Sequence, residues 1–391
     1  MKIETAKRLN GIGEYYFSRK MKEIEALGKT GDPVINLGIG SPDLPPHPEV
    51  IRSLIHESVN ENLHGYQSYR GSDLLRTAFA RWYSKWYEVA LDPLSEVLPL
   101  MGSKEGIMHV CMTYLNEGDF ALIPNPGYPA YRAAVKLAGG NCLEYQLKED
   151  ENWQIDFGEL EKMVRSATSK VRLMWINYPH MPTGRMASEE LFVKLVGFAK
   201  KHGILLCNDN PYGFILNDNR ISLLAVEGAM EVGIELNSLS KSHNMAGWRI
   251  GVLCGSKDRI NEILQFKSNM DSGMFLPLQI AAANALRLDE DWYAKINKTY
   301  GSRRNKAFEL LDLLNCSYHK QQAGMFVWAK IPDKYKQAEE LCDNILSTAK
   351  VFISPGMIFG SAGQNYIRVS LCNPVEKFDE SIARIQNHFL S

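Results

Sequence analysis

From about residue 46 to 285, short apolar runs alternate with longer stretches whose apolar residues recur at helical spacing. The runs Val97–Met101, Phe120–Ile123, Cys142–Gln146, Arg172–Asn177, Leu205–Cys207, Ile234–Asn237 and Ile250–Cys254 predict strands. Ser188–His202 predicts a helix: a capping-type Ser188 precedes Glu189 and Glu190, apolar residues follow every three or four positions, and Gly203 ends it. Strand and helix in alternation imply a mostly parallel sheet wrapped by helices. Past residue 286 the pattern changes. A charged, helix-like stretch runs from Asp291 towards Leu314, strands follow at Phe326–Lys330, Val351–Ser354 and Tyr366–Leu371, and an amphipathic helix covers Val375–Phe389. That is an α+β unit. The first 45 residues read as an extended or partly helical arm ending in Gly38-Ile39-Gly40-Ser41-Pro42-Asp43. The expected division is therefore an arm over 1–45, a large α/β domain over 46–285 and a smaller domain over 286–391.

Composition narrows this only slightly. With 391 residues, two domains are the natural expectation. Hydrophobic residues at 45% and charged residues at 23% are ordinary for a soluble globular protein. A formal net charge of −1 argues against nucleic acid or an anionic membrane as the main partner. The start MKIETAKRLN lacks the apolar core of a signal peptide, and no apolar run reaches the roughly 18 residues needed to cross a bilayer. The expected location is cytoplasmic. Seven scattered cysteines, without a CxxC pair, read as small buried hydrophobes in a reducing compartment. The histidines show no ligand spacing, so no metal site is expected.

Four places where strands end carry candidate chemistry. In Ser238-Leu239-Ser240-Lys241 two hydroxyls precede a lysine, with Gly247 and Arg249 beyond. Such a lysine is either a solvated residue or an amine that forms an imine. The second role needs neighbours that lower its pKa and groups that bind an anion, which Ser238 and Arg249 could supply. Gly102-Ser103-Lys104-Glu105-Gly106 lies where strand passes to helix, as a phosphate site at a helix N-terminus or as an imperfect capping box. Asp209-Asn210-Pro211-Tyr212 is either a turn or a carboxylate placed to keep a pyridine nitrogen protonated, with Tyr212 reaching the ring hydroxyl. Tyr128, in a tight Pro-Gly-Tyr-Pro turn, could stack on a flat ring or belong to the core.

Together these segments resemble one family. NLGIGSPD, YQSYRG, MGSKEG, NPGYPAY, NYPHMPTG, NDNPY, SLSKSHNMAGWRIG, AGMFVW, SPGMIFG and YIRVSL occur in the order found in the fold-type I pyridoxal-phosphate enzymes of the class I/II aminotransferase family, from Gly38 to Arg368. The resemblance implies pyridoxal 5'-phosphate as cofactor, a seven-stranded and mostly parallel sheet, and a small domain made from both chain ends. It makes Lys241 similar to the Schiff-base lysine that also shuttles the substrate proton. Asp209 is similar to the pyridine-nitrogen partner, Tyr212 to the ring-hydroxyl donor and Tyr128 to the stacking aromatic. Ser103, Lys104, Ser238 and Arg249 resemble the phosphate cup. Tyr66 resembles the tyrosine that reaches the cofactor phosphate of a neighbouring subunit, which implies a homodimer. Arg368 resembles the clamp for the substrate carboxylate, helped by the backbone of Gly40. Read without the resemblance, Arg368 on the otherwise apolar run Tyr366–Leu371 is either a solvated surface arginine or a bidentate clamp that fixes an amino acid by its carboxylate.

One position departs from the family. The family's Asn-Pro-Thr-Gly is Met181-Pro182-Thr183-Gly184 here, and methionine cannot donate to the cofactor's ring oxygen. Asn177 does not match that position, and His180 should point elsewhere. The expected activity is transfer of an amino group between an amino acid and a 2-oxo acid. The alternative is a C–S β-lyase on the same fold, faintly suggested by Asn177-Tyr178-Pro179-His180. A regulator's effector domain is disfavoured because no DNA-binding domain is evident. The substrate pocket should draw on Tyr15, Phe17 and Ile39 and on a partner's segment near Ser272. These residues lean towards aromatic or other neutral amino acids, with aspartate and diaminopimelate as alternatives.

Overall fold

The computed structural model describes residues 3–10, 12–13, 16–28, 33–150 and 152–389. Thirteen strands are formed among them: β1 (Ile35–Asn36), β2 (Val97–Leu100), β3 (Phe120–Asn125), β4 (Asn141–Gln146), β5 (Val171–Ile176), β6 (Leu205–Asp209), β7 (Gly233–Ser238), β8 (Gly251–Gly255), β9 (Ser317–Tyr318), β10 (Phe326–Lys330), β11 (Val351–Phe352), β12 (Ser354–Pro355) and β13 (Tyr366–Ser370). Seven make one sheet in the order β2-β8-β7-β6-β5-β3-β4. All its pairings are parallel except those of β8, which runs antiparallel to β2 and β7.

The apolar runs form strands because both faces of the sheet are covered. Leu98, Leu100, Ala121, Ile123, Leu173 and Trp175 join one core cluster with Ile107, Val135 and Ile263 from the helices Ser103–Tyr114, Pro129–Leu137 and Lys257–Lys267. Their sequence neighbours Val97, Leu122, Met174 and Leu206 point the other way, towards Phe79 and Leu195 from the helices Asp73–Tyr87 and Glu189–His202. Each fully buried large apolar side chain contributes about 1.5–3 kcal/mol, so the sheet is a stable platform for what its ends carry. The helix after Ser188 forms as expected. Ser188 Oγ accepts from Leu191 N at 3.3 Å, and Gly203 closes the helix with φ +64°.

The remaining elements bring the two chain ends together. β1 pairs in parallel with β11, and β12-β13-β10-β9 form a second sheet. The expected single strand Val351–Ser354 is thus two: the chain changes partner at Ile353, pairing first with β1 and then with β13. The arm contains a helix, Tyr16–Gly28, tied to the last third of the chain by Lys20 Nζ and Asp343 Oδ1 at 3.0 Å. No helix among the described residues is long and apolar enough to cross a membrane.

Candidate active site

A parallel sheet gathers its loops at the carboxyl ends of its strands, where such sheets bind ligands. Here β2, β3, β5, β6 and β7 deliver Gly102, Tyr128, Asn177, Asp209 and Ser238 to one edge. β8 is antiparallel and starts from that edge, which puts Arg249 there too. A cavity of about 350 Å³ opens at this place. Ser103, Lys104, Tyr128, Asp209, Tyr212 and Ser238 line it, as do Lys241, Arg249, Arg368, Gly40 and Ile39. Phe17 lines it as expected. Asn177, Met181 and Ser240 line it too, while Tyr131, Phe326 and Phe359 also line it without having been given a role from the sequence. Tyr66 is 96% exposed and outside this cavity. Tyr15 lies outside the described residues.

One end is built for an anion. The helix Ser103–Tyr114 starts at Gly102, with φ +82° and no side-chain cap, so Ser103 is its first helical residue and the capping-box reading fails. The N–H groups of an uncapped first turn are open to an anion. The Arg249 guanidinium lies over Gly102 so closely that a Cβ there would be 2.1 Å from Nη2. Its Nη1 donates to Ser240 Oγ at 3.3 Å and to Ala246 O at 3.0 Å. Ser238 Oγ stands 2.9 Å from Ser240 Oγ. Behind the cup, Glu105 Oε2 accepts from Met101 N at 2.5 Å and Oε1 lies 2.8 Å from His109 Nε2, which braces the turn.

At the centre, Lys241 Nζ donates to the carbonyl of Gly40 at 2.8 Å. Burial holds this amine below its ordinary pKa, and the charges of Arg368 and Arg249 act in the same direction. Gly40 itself permits a close approach, since a Cβ there would meet Phe326 Cζ at 2.2 Å.

Asp209 closes β6 and is 3% exposed. Its Oδ2 accepts from Tyr131 OH at 2.8 Å, while Oδ1 is buried with no hydrogen-bond partner among the described residues. Burial pushes the carboxyl from an ordinary 3.8 up to about 6, against the Tyr131 bond, which lowers it. Without a cation opposite it, this group makes folding take up a proton. The stability it allows is complete below pH 4 and falls as pH rises to about 6. Asp209→Asn should therefore raise the thermal stability of the cofactor-free protein at pH 8, by an amount of order 3 kcal/mol, and leave it unchanged near pH 4. Melting curves of both proteins across that range check the sign. A variant no more stable at pH 8 than at pH 4, relative to wild type, would show that Asp209 is not strained by burial.

The surroundings of Met181, the one departure from the family pattern, are defined in the structure. Met181 Sδ accepts from Arg368 Nη1 at 3.3 Å. Asn177 does not replace the missing donor: its Oδ1 accepts from Met181 N at 2.8 Å and its Nδ2 bonds to Asp209 O, so it pins two loops together. His180 stays out of the cavity, with Nδ1 2.8 Å from Thr183 Oγ1, and burial lowers its pKa to about 3.

Arg368 is not a surface residue. It is 4% exposed on β13, the strand between β12 and β10. Its Nη2 donates to Gly38 O at 2.8 Å. The guanidinium carbon is 3.8 Å from the ring centroid of Phe326, 4.5 Å from Phe359 and 5.6 Å from Phe17.

A lysine amine, a buried carboxylate with one oxygen unused and an anion cradle on a mostly parallel sheet define the class of fold-type I pyridoxal-phosphate enzymes. The residues fit that cofactor: Asp209 Oδ1 suits a ring N–H, and the space above Gly102 beside Arg249 suits a phosphate. Comparison with known proteins gives the same class. The family model for class I and II aminotransferases matches residues 32–385. An LL-diaminopimelate aminotransferase of Dehalococcoides mccartyi is 37% identical over 98% of this chain and 99% of its own length. BacF of Bacillus subtilis, in its apo structure, superimposes with a TM-score of 0.93 at 35% identity, covering 99% of this chain and 98% of that one. The aspartate aminotransferase of Thermotoga maritima gives a TM-score of 0.89 at 25% identity, over 98% and 99% of the two chains. This chain belongs to the class I and II aminotransferase family. It is a pyridoxal-phosphate-dependent aminotransferase.

Proposed function

We propose that this aminotransferase takes amino acids with large uncharged side chains, aromatic ones foremost, as donors to a 2-oxo acid. The observation that carries this reading is the apolar surround of Arg368. Phe17, Phe326, Phe359, Ile39 and Met181 stand beside the proposed carboxylate clamp, where the side chain of a clamped substrate must lie. An apolar wall stabilises an apolar side chain at about 25 cal/mol per Å² buried, and penalises a charge that finds no partner. The second reading is diaminopimelate, favoured by the names of relatives at 36–38% identity. Its side chain ends in an ammonium and a carboxylate, both of which need polar partners. Comparing kcat/KM for phenylalanine, tyrosine, leucine, aspartate and LL-diaminopimelate separates the two. The aromatic donors should exceed the charged ones by at least tenfold, about 1.4 kcal/mol in transition-state binding; diaminopimelate in first place would overturn the proposal.

When bound, pyridoxal phosphate supplies an aldehyde that takes up the amine and a ring that accepts the electrons released at the substrate Cα. This chain's residues have the following proposed roles. Lys241 holds the cofactor covalently and moves the proton at Cα. Asp209 keeps the ring nitrogen protonated, and Tyr212 donates to the ring hydroxyl. Tyr128 lies against the ring. Ser103, Lys104, Ser238 and Arg249 hold the phosphate. Arg368, with Gly40, fixes the substrate carboxylate, and Ile39 borders its side chain.

The proposed assembly is a homodimer with shared sites. Tyr66 stands fully out from its own chain, with Tyr69, Met270 and Phe275 also exposed nearby in sequence or across the Gln67–Gly273 bridge. An exposed apolar patch of this kind suits a partner surface. The arm to residue 45, the large domain to 285 and the remainder are proposed as the functional units. A cytoplasmic location accords with seven cysteines that are all free thiols.

A further inference from the structure

Tyr131 lies two residues into the helix Pro129–Leu137, in the turn that follows Tyr128. It is 1% exposed. Its ring is stacked on Trp175, with centroids 5.2 Å and planes 9° apart, and meets Tyr128 edge-on at 5.6 Å and 87°. Three contacts thus fix one phenol: a strand residue beneath, the proposed cofactor-stacking ring beside it, and Asp209 Oδ2 at 2.8 Å from its hydroxyl.

The consequence falls on Asp209. An ionised carboxylate accepts on both oxygens and donates from neither. The phenol occupies Oδ2 and sets the plane of the group, and Oδ1 is the oxygen left without a partner among the described residues. The phenol stays a donor, because burial and the adjacent carboxylate push its own pKa well above the ordinary value. Asp209 faces further groups. Glu235, buried on the adjacent strand β7, disfavours its charge, while the Ser103 hydroxyl and the Tyr131 bond favour it. A hydrogen bond to a charged group is worth more than one between neutral groups, so Tyr131 is the neighbour best placed to oppose burial.

We propose that Tyr131 is a positioning residue: its hydroxyl keeps Asp209 ionised with Oδ1 turned to the cofactor nitrogen, while its ring holds Tyr128 in place for stacking. The proposal rests on the reading of Asp209 as the ring-nitrogen partner.

Tyr131→Phe removes only the hydroxyl and keeps the stack on Trp175. The measurement is the dissociation constant of pyridoxal phosphate from the apoenzyme across pH 5–9, for wild type, Tyr131→Phe, Asp209→Asn and Trp175→Phe. Wild type should bind less well below a midpoint set by Asp209. In Tyr131→Phe the midpoint should move about one unit to higher pH, so that binding weakens about tenfold below the wild-type midpoint and converges on wild type well above it, the low end of the range for losing one hydrogen bond to a charged group. Asp209→Asn should lack the limb. Trp175→Phe, which disturbs packing but leaves the hydroxyl, should keep the wild-type midpoint. A limb lost in Asp209→Asn but unmoved in Tyr131→Phe overturns the inference, as does an equal shift in Trp175→Phe, which would assign the effect to packing. If Asp209→Asn keeps the limb unchanged, the reading of Asp209 fails first and the inference with it. Should Tyr131→Phe not fold, Tyr131→His, whose ring can still donate, should restore folding and a midpoint nearer that of wild type; a midpoint insensitive to that donor overturns the inference too.

Discussion

Lys241→Ala is expected to lose covalent attachment of the cofactor and on the order of 10³-fold or more in kcat, within the range for removing a positioned proton-transfer group. Among the described residues two lysines line the cavity, Lys241 and Lys104, so the assignment has a rival within the same site. Environment separates them. Lys104 is an exposed residue in the first turn of its helix, near the Arg249 cradle. Lys241 is drawn inward, with Nζ bonded to Gly40 O at 2.8 Å and its pKa lowered, chiefly by burial. A lowered pKa enlarges the neutral fraction, and only a neutral amine can attack an aldehyde or take a proton. Borohydride treatment followed by peptide mass analysis should find the added cofactor mass on the Lys241 peptide in wild type and on no peptide in the variant. Cofactor mass on the Lys104 peptide, or a variant within tenfold of wild-type kcat, would remove Lys241 from the role.

Much of this site lay open in the sequence because its parts sit at strand ends. An apolar run that stops at Asp209 or Ser238 marks both the strand and the position that a parallel sheet presents to a ligand. Arg368 was ambiguous for the same kind of reason. A charged residue inside Tyr366–Ser370 fits an exposed face or a buried clamp, and only the flanking strands β10 and β12 decide it. What was hidden depends on distance along the chain. The bond from Tyr131 to Asp209 spans 78 residues, and nothing in Pro-Ala-Tyr announces it. Phe326 beneath Gly40 and over Arg368 was quoted as part of a motif, yet its place in the cavity comes from the pairing of β10 with β13. The capping reading of Ser103 failed because the strand turns one residue earlier, at Gly102, where a positive φ and the pressing guanidinium of Arg249 leave no room for a side chain. Local patterning thus located the strand ends; the packing between them required the fold.

Arg368→Ala is expected to cost amino-acid donors roughly 2–5 kcal/mol in kcat/KM, the range for removing one partner of a buried charge pair, and to cost the corresponding amines far less. The guanidinium is desolvated, and the acceptors it meets at Gly38 O and Met181 Sδ are neutral. A thioether sulfur is a weak acceptor, so a carboxylate arriving there forms a bond much stronger than the one it displaces. The aromatic rings of Phe326 and Phe359 hold the cation by their faces and exclude water, which strengthens that bond further. The planar guanidinium can grip both carboxylate oxygens at once, and this fixes the direction of the bonds at Cα relative to Lys241. An amine lacking the carboxylate gains none of this in wild type and so has little to lose. Phenylalanine and phenethylamine form a suitable pair, because they differ only in that group. If both lose the same factor in Arg368→Ala, the arginine supports the architecture around β13 and does not hold the substrate. If phenylalanine alone loses at least 30-fold, about 2 kcal/mol, the arginine is the carboxylate clamp.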